Sequence, residues 1–387
     1  MTETGLSRRD FVQTAVGASA FASLPAEAPA LQAKPRLAFV GLMNGHCWRV
    51  LQNVTGVKIQ PSQRLGGPAT QLEWGDFSEV EFVGVAESEP ILVQEARKYQ
   101  PDFDYVDDYR ELVEDKKPQI VWSFVETSRH LEIVEYLAPR GIHVIFEKPL
   151  ATSLDDARSI RDLARKHGIQ VMTNFQMAWW PTNQEVKRQA DAGAVGKVWR
   201  LHGIVGHRGP RKPTSASGKL AFDWITDPVR NGGGALMDFG CYNVAWALWF
   251  KGRPRSVFAQ ANHLRRELYQ VESNSTMVLS YEDGVAILEG SWSLPHNFQE
   301  LRVFGAEGSL CMTRAGVELR KGLYGVPEPV RPTPVAHERS NPVTYIVDRI
   351  RRGVPDDNIT AVDMNVGVIE ILDAAKESIR TGRSILL

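Results

Sequence analysis

Short apolar runs recur along the first half of the chain, separated by polar stretches in which apolar residues return with the helical period. RLAFVG, starting at Arg36, predicts a strand, and the segment from His46 to Val54 a short helix. VEFVGV (Val80 to Val85) predicts the next strand and PILVQEARKYQ the helix behind it, with a second short helix from Tyr109 to Glu114. IVWSFV (Ile120 to Val125), the helix HLEIVEYLAPRG and the strand HVIF (His143 to Phe146) continue the alternation. Near-continuous apolar strands between amphipathic helices predict a parallel sheet covered on both faces, hence a doubly wound α/β domain. The helix SLDDARSIRDLARKHG is marked at both ends, by Ser153 with Asp156 as a capping pattern and by Gly168 as a terminator. QVMTNF is then a further strand, and the first domain is read as residues 36–174.

The pattern changes in the second half. Strand-like runs with turn signals recur at VWRLHGIV, SVFAQANH, STMVLSYEDGVAILEGSW, ELRVFGAEGSL and GVELRKG, and Tyr281 to Gly284 has the composition of a hairpin turn. One apolar helix, about Ala235 to Phe250, interrupts them. Residues 175–340 are therefore read as an α+β domain with a mixed or antiparallel sheet. Residues 341–387 are read as two helices, about Pro342 to Arg352 and Thr360 to Thr381, that pack back on the first domain. Thr55 to Asp76, rich in Gly, Pro and Gln and without a clear period, is read as a long surface insertion.

Composition narrows the function classes. The chain of 387 residues has room for two cores, and its net charge of −1 gives no electrostatic reason to bind nucleic acid or an anionic membrane. Cys47, Cys241 and Cys311 are too scattered for a disulfide framework or a zinc pattern and are read as core side chains. Residues 1–30 have the layout of a twin-arginine export signal: Ser7-Arg8-Arg9-Asp10-Phe11, a weakly apolar stretch to Leu24, then Ala-x-Ala sites. That stretch is too short to span a bilayer, so the expectation is a periplasmic or secreted protein with no membrane contact beyond export. This route carries folded proteins, which suits a cofactor-bearing enzyme without disulfides.

Three segments carry candidate chemistry. FVGLMNGHCW (Phe39 to Trp48) joins a strand to a helix where a dinucleotide fold places its phosphate loop, although Met43 and His46 stand where G-x-G-x-x-G has glycines. Glu147-Lys148-Pro149-Leu150 lies at the carboxyl end of a parallel strand, the edge where open α/β sheets bind ligands. Gly232 to Phe250, GGGALMDFGCYNVAWALWF, places Asp238 and Tyr242 one helical turn apart on a common face. By spacing alone this segment equally fits a glycine turn, a helix-start acid and a core tyrosine.

In combination, the degenerate dinucleotide half, HVIFEKPL, SLDDARSI and GGGALMDFGCY resemble the Gfo/Idh/MocA oxidoreductases, over the chain from about Arg36 to Leu387. The resemblance implies an NAD(P)-binding Rossmann domain, a second domain for substrate and homo-oligomer contacts, and a carbohydrate or polyol substrate. With the export signal it resembles the glucose-fructose oxidoreductase branch, whose members can retain a tightly bound nicotinamide cofactor. Glu147, Lys148 and Pro149 match the family's E-K-P, in which the lysine is an active-site residue. Asp238 matches the helix aspartate, and Tyr242 stands where most members have a catalytic histidine.

The resemblance thus assigns Tyr242 as acid/base with a pKa lowered by Lys148, and Asp238 as a ligand of substrate hydroxyls. Alternatively Lys148 carries the proton and Tyr242 orients. Gly41 would supply the tight turn of the cofactor loop, and Gly45 and the backbone around His46 would approach the pyrophosphate, with Asn44, Glu147, Lys148 and Pro149 as further cofactor contacts. Glu87, ending the second strand, would bind the adenosine ribose and favour NAD over NADP. Candidate substrate contacts are Asn174, Trp179, Trp180, His207, Arg208 and Trp224, the two adjacent tryptophans serving either as a sugar platform or as core. No metal is expected, since His207 has no second ligand at a suitable spacing. Three functions are open: hydride transfer to or from a sugar carbon, NAD-assisted glycoside cleavage through transient oxidation, and binding without catalysis.

Overall fold

The computed structural model describes residues 31, 33–55, 74–98 and 100–387. The expected export signal and nearly all of the Thr55–Asp76 insertion lie outside the described residues. The first sheet contains β1 (Arg36–Val40), β2 (Glu81–Ala86), β3 (Tyr105–Val106), β4 (Ile120–Ser123), β5 (His143–Glu147) and β6 (Val171–Asn174). Its order is β3-β2-β1-β4-β5-β6, and all pairings are parallel. The order reverses between β1 and β4, so their carboxyl ends form the crevice of a Rossmann fold.

The covering helices are α1 (Cys47–Thr55), α2 (Pro90–Arg97), α3 (Tyr109–Lys116), α4 (His130–Leu137) and α5 (Leu154–His167). Their ends follow local chemistry. Ser153 Oγ accepts the Asp156 amide and Gly168 closes α5 in the left-handed conformation, as the capping pattern predicts. β3, a two-residue edge strand in DFDYVDD, has too short an apolar run to announce itself.

The next four α-helices after β6 are α6 (Pro181–Asp191), α7 (Ala216–Ile225) and the adjacent pair α8 (Ala235–Asp238) and α9 (Gly240–Lys251). The single helix expected from Ala235 to Phe250 is broken at Phe239, where the Asp238 carbonyl accepts from Lys148 Nζ at 3.1 Å. α7 was masked in sequence by the Pro, Ser and Gly of GPRKPTSASG before it.

The second sheet holds β7 (Val198–Gly206), β8 (Ser256–Asn262), β9 (Asn274–Tyr281), β10 (Gly284–Ser291), β11 (Phe298–Gly305), β12 (Gly308–Thr313), β13 (Val317–Lys321), β14 (Glu328–Val330) and β15 (Ile385–Leu386). It is mixed: β10 runs parallel to β7, and the other pairings are antiparallel. Tyr281 pairs with Gly284 across a two-residue turn, as the hairpin reading requires. Alternation sets the faces, with Leu201, Val205, Met277, Leu279, Ala286 and Leu288 buried on the side covered by α9.

α10 (Pro342–Arg352) packs on the first domain, where Arg351 meets Glu79 at 2.7 Å and Asn341 Oδ1 accepts the Asp76 amide. α11 (Val362–Thr381) does not pack on the first domain alone. It lies between α5, where Asp373 accepts the Leu154 amide, and β8, where Ser378 Oγ accepts the Ala259 amide. The two domains are thereby cemented, and the ends of β5 and β6 face α8 and α9.

Candidate active site

The Lys148–Pro149 peptide is cis, and the Lys148 side chain, 8% exposed, leaves the end of β5 for the second domain. Its ammonium forms a short ion pair with Asp238 Oδ1 and also donates to the Asp238 carbonyl. The other carboxylate oxygen, Oδ2, accepts from Trp292 Nε1 at 2.8 Å. Burial pulls the Lys148 pKa down, but the facing Asp238 outweighs it and holds the ammonium well above the usual lysine value. Burial likewise pushes the Asp238 carboxyl up, and Lys148 more than reverses it. Two of the three ammonium protons are committed to Asp238, and the third remains for a ligand.

Tyr242 stands beside this pair, its ring centroid 5.3 Å from Lys148 Nζ and in edge contact with Phe175. The sequence predicts a Tyr242 pKa lowered by Lys148. Instead burial raises the phenol further than Lys148 lowers it, so its resting form is protonated. No hydrogen bond engages its hydroxyl among the described residues. His207 closes the same corner: Asp238 and Lys148 both act on it electrostatically, and burial keeps its pKa below the usual histidine value. Its Nδ1 accepts the Gly209 amide at 2.8 Å, so the neutral ring carries its proton on Nε2 and can only donate there.

Glu147 is expected from the sequence to contact the cofactor. Its carboxylate, 1% exposed, instead turns into the protein and accepts from His46 Nδ1 at 2.7 Å, Trp122 Nε1 at 3.3 Å and Asn174 Nδ2 at 2.9 Å. With Nδ1 donating, His46 Nε2 accepts from the Gln176 amide at 3.1 Å. A histidine in the third glycine position therefore ties the start of α1 to the ends of β5 and β6. Asn174, expected to touch substrate, is fully buried between Glu147 and the Trp179 indole, which donates to it at 2.9 Å.

The residues after β1 fit a dinucleotide. Gly41 takes φ 79, and a Cβ there would meet Val125 Cγ1 at 2.7 Å, so the turn requires glycine. Gly45 is exposed with open space around it, and neither its amide nor that of Met43 has a protein partner among the described residues. Asn44 serves the turn, its Oδ1 accepting the His46 amide at 3.0 Å. These open amides at a helix start suit a pyrophosphate. Glu87 lies across the crevice, its two oxygens accepting the Leu42 and Glu89 amides at 2.6 and 2.7 Å. Burial raises its pKa, and each oxygen keeps a lone pair for a further donor.

Trp179 and Trp180 form no sugar platform. Each is 3% exposed, Trp179 packing on Tyr345 and Trp180 under Arg314. Trp224, in α7, is also buried, and its indole N–H has no hydrogen-bond partner among the described residues. Arg208 is exposed and donates to the Pro295 carbonyl at 2.8 Å. Trp292 was missed because a tryptophan closing an apolar strand looks like any core residue. Gln176 was missed because nothing in sequence connects it to His46.

Two domain models match the chain: the oxidoreductase family's NAD-binding Rossmann fold over residues 66–175 and the GFO/IDH/MocA C-terminal domain over residues 183–311. The first match begins beyond the irregular glycine loop. D-xylose 1-dehydrogenase (NADP(+)) 2 of Haloferax volcanii is 29% identical over 293 residues, 72% of this chain and 83% of that protein. Levoglucosan dehydrogenase of Pseudarthrobacter phenanthrenivorans is 25% identical over 175 residues, 45% of this chain and 44% of that one. In fold, the aldose-aldose oxidoreductase from Caulobacter crescentus, complexed with glycerol, superposes with a TM-score of 0.72. That match covers 92% of this chain and 100% of the other at 21% identity. With both domains matched and the site assembled between them, the chain belongs to the Gfo/Idh/MocA family and is an NAD(P)-dependent oxidoreductase.

Proposed function

We propose that the protein transfers hydride between NAD and a hydroxyl-bearing or keto carbon of a sugar or polyol, with Lys148, Asp238 and Tyr242 at the reacting carbon. The observation that carries this reading is the Lys148 ammonium, fixed twice by Asp238 with one proton left over. The sugar dehydrogenases among its relatives support the substrate class. Gly41, Gly45 and the open amides beside them would hold the dinucleotide, and the buried acid Glu87 favours a free ribose over a 2′-phosphate. When bound, the nicotinamide supplies or accepts the hydride.

The protein's part is orientation and proton delivery. Lys148 polarises the substrate oxygen, and the Tyr242 phenol and the His207 Nε2–H are further donors beside the same pair. Every one of these groups holds its proton at rest, so the site is loaded for carbonyl reduction. Alcohol oxidation leaves its proton with the Lys148–Asp238 pair or with Tyr242 only after that group has first released one. Redox-assisted glycoside cleavage needs a further base for the neighbouring C–H. The Nδ1 lone pair of His207 is taken by Gly209, so net redox is the better-supported reading.

The twin-arginine pattern at Ser7 to Val12 supports export to the periplasm, where a retained cofactor would serve better than a dissociating one. The exposed apolar side chains Trp199 and Phe258 on the second sheet support a homo-oligomer. Mass spectrometry of the denatured supernatant tests the cofactor: near-stoichiometric NAD is expected. No nucleotide, together with no thermal shift on adding NAD or NADP, would refute the reading. Release of an aglycone with the sugar's oxidation state unchanged would favour cleavage over net redox.

A further inference from the structure

The segment after β7, GHRGPRK, carries more positive charge than the catalytic corner consumes. Its backbone is pinned to the end of β10, with the His207 amide donating to the Ser291 carbonyl at 3.0 Å and the Leu294 amide to the His207 carbonyl at 3.2 Å. Gly209, at φ 69, lies so close to Trp292 that a Cβ would come within 2.5 Å of that side chain. Trp292 in turn holds Asp238, so the segment is registered directly against the catalytic carboxylate.

On this frame His207 senses His46 from the Rossmann side and Arg211 from its own loop, besides Asp238 and Lys148. The buried carboxylates beside Lys148 are already engaged, Asp238 by Lys148 and Trp292 and Glu147 by His46, Trp122 and Asn174. Arg208, Arg211 and Lys212 are exposed, and none of them makes an ion pair among the described residues. Their neighbours differ: Lys219 is paired with Asp223 and Arg230 with Glu126, while Asp227 accepts the Val229 and Arg230 amides. The acids nearby in sequence are therefore already engaged. A surplus of cations beside a largely buried corner concentrates anions there, and a guanidinium matches a carboxylate or a phosphate with two parallel hydrogen bonds.

We propose that the lip formed by Arg208, Arg211 and Lys212 is a subsite for an anionic group, carboxylate or phosphate, on the sugar substrate, remote from the reacting carbon. This rests on the oxidoreductase reading above and narrows its substrate class to acidic or phosphorylated sugars. The competing assignment is that these cations serve the cofactor's phosphates.

The test uses the full-length, cofactor-loaded protein and three sugars of one skeleton: D-glucose, D-glucuronate and D-glucose 6-phosphate. Turnover and thermal shift are read for each in the wild type and in an Arg211→Ala/Lys212→Ala variant. At least one charged sugar is expected to exceed glucose about tenfold in kcat/KM, through KM, as befits a charge-assisted contact. The advantage should collapse toward one in the variant and shrink with added salt, and the better of the two charged sugars identifies the anion. Glucose performing as well as both charged sugars in the wild type overturns the proposal. So does a variant that loses NAD affinity while keeping the charged-over-neutral ratio. If none of the three sugars is turned over although NAD is bound, the reading of this sugar skeleton as substrate fails, and the subsite is then decided by binding. A thermal shift with glucuronate or the phosphate that vanishes in the variant supports it, and no such shift overturns it.

Discussion

Glu147 on the Rossmann floor and Asp238 on the wall supplied by the second domain are both buried carboxylates flanking Lys148, yet they are neutralised differently. Glu147 is satisfied by three N–H groups, from His46, Trp122 and Asn174, which join α1, β4 and β6. No donor is left over, and the result is a brace. Asp238 is satisfied by one indole and one ammonium, and the ammonium keeps a proton to give. The difference lies in the partner: neutral donors turn a carboxylate into framework, and a multivalent cation turns it into the holder of a working group.

Four substitutions can break or sharpen that contrast. Lys148→Met removes the working group, and kcat is expected to fall about a thousandfold, the scale of a lost positioned proton donor. Cofactor content measured alongside should persist. Asp238→Asn leaves the ammonium buried without a counter-charge. We expect kcat to fall about a hundredfold, and urea unfolding to show a loss of about 3–5 kcal/mol, as for one partner of a buried pair.

The pH dependence of that loss has a definite sign. The Asp238 pKa is depressed, so its contribution exists above the usual aspartate value of about 3.9 and disappears as pH falls through the lower folded value. The Lys148 pKa is raised, so its contribution is complete below about 10.4 and disappears only as pH climbs through the higher folded value. The stability gap between wild type and Asp238→Asn should thus be flat across neutral pH and close in acid. A gap that varies between pH 6 and 8, on the order of one pKa step, would contradict the paired assignment.

Trp292→Phe deletes one hydrogen bond to the charged carboxylate, a contact worth about 1.5–3 kcal/mol. Steady-state kinetics should show kcat down about tenfold, with Lys148 and Tyr242 still in place. Glu147→Gln should change kcat least, by about fivefold or less. An amide side chain cannot accept all three N–H groups, so denaturant titration should register about 1–3 kcal/mol of lost stability. A Glu147→Gln enzyme that folds normally but is catalytically dead would erase the distinction between brace and holder.

What could be read beforehand divides along similar lines. Period and punctuation act locally, so the strand-helix alternation, the Ser153 and Gly168 ends of α5 and the Tyr281–Gly284 hairpin were legible. Lys148, Asp238 and Tyr242 could be placed at one corner because two short motifs carry them. The direction of the Tyr242 pKa shift was not legible, since burial of the phenol is a three-dimensional property that the spacing of Tyr242 from Asp238 does not encode. Glu147 and Asn174 were placed near ligands because they end strands at the right edge, and only packing revealed that they face each other and the Trp179 indole. Trp292 reaches Asp238 across 54 positions, a separation at which no periodic signal survives.

The central claim is that the proton transfer accompanying hydride transfer depends on Lys148, held by Asp238, whether the ammonium or Tyr242 carries the proton. The most direct test is single-turnover nicotinamide absorbance of the NADH-loaded protein mixed with a keto sugar, comparing wild type with Lys148→Met at equal cofactor occupancy. The account predicts rapid loss of NADH absorbance in the wild type and about a thousandfold slower loss in the variant. Equal rates in the two proteins would contradict it.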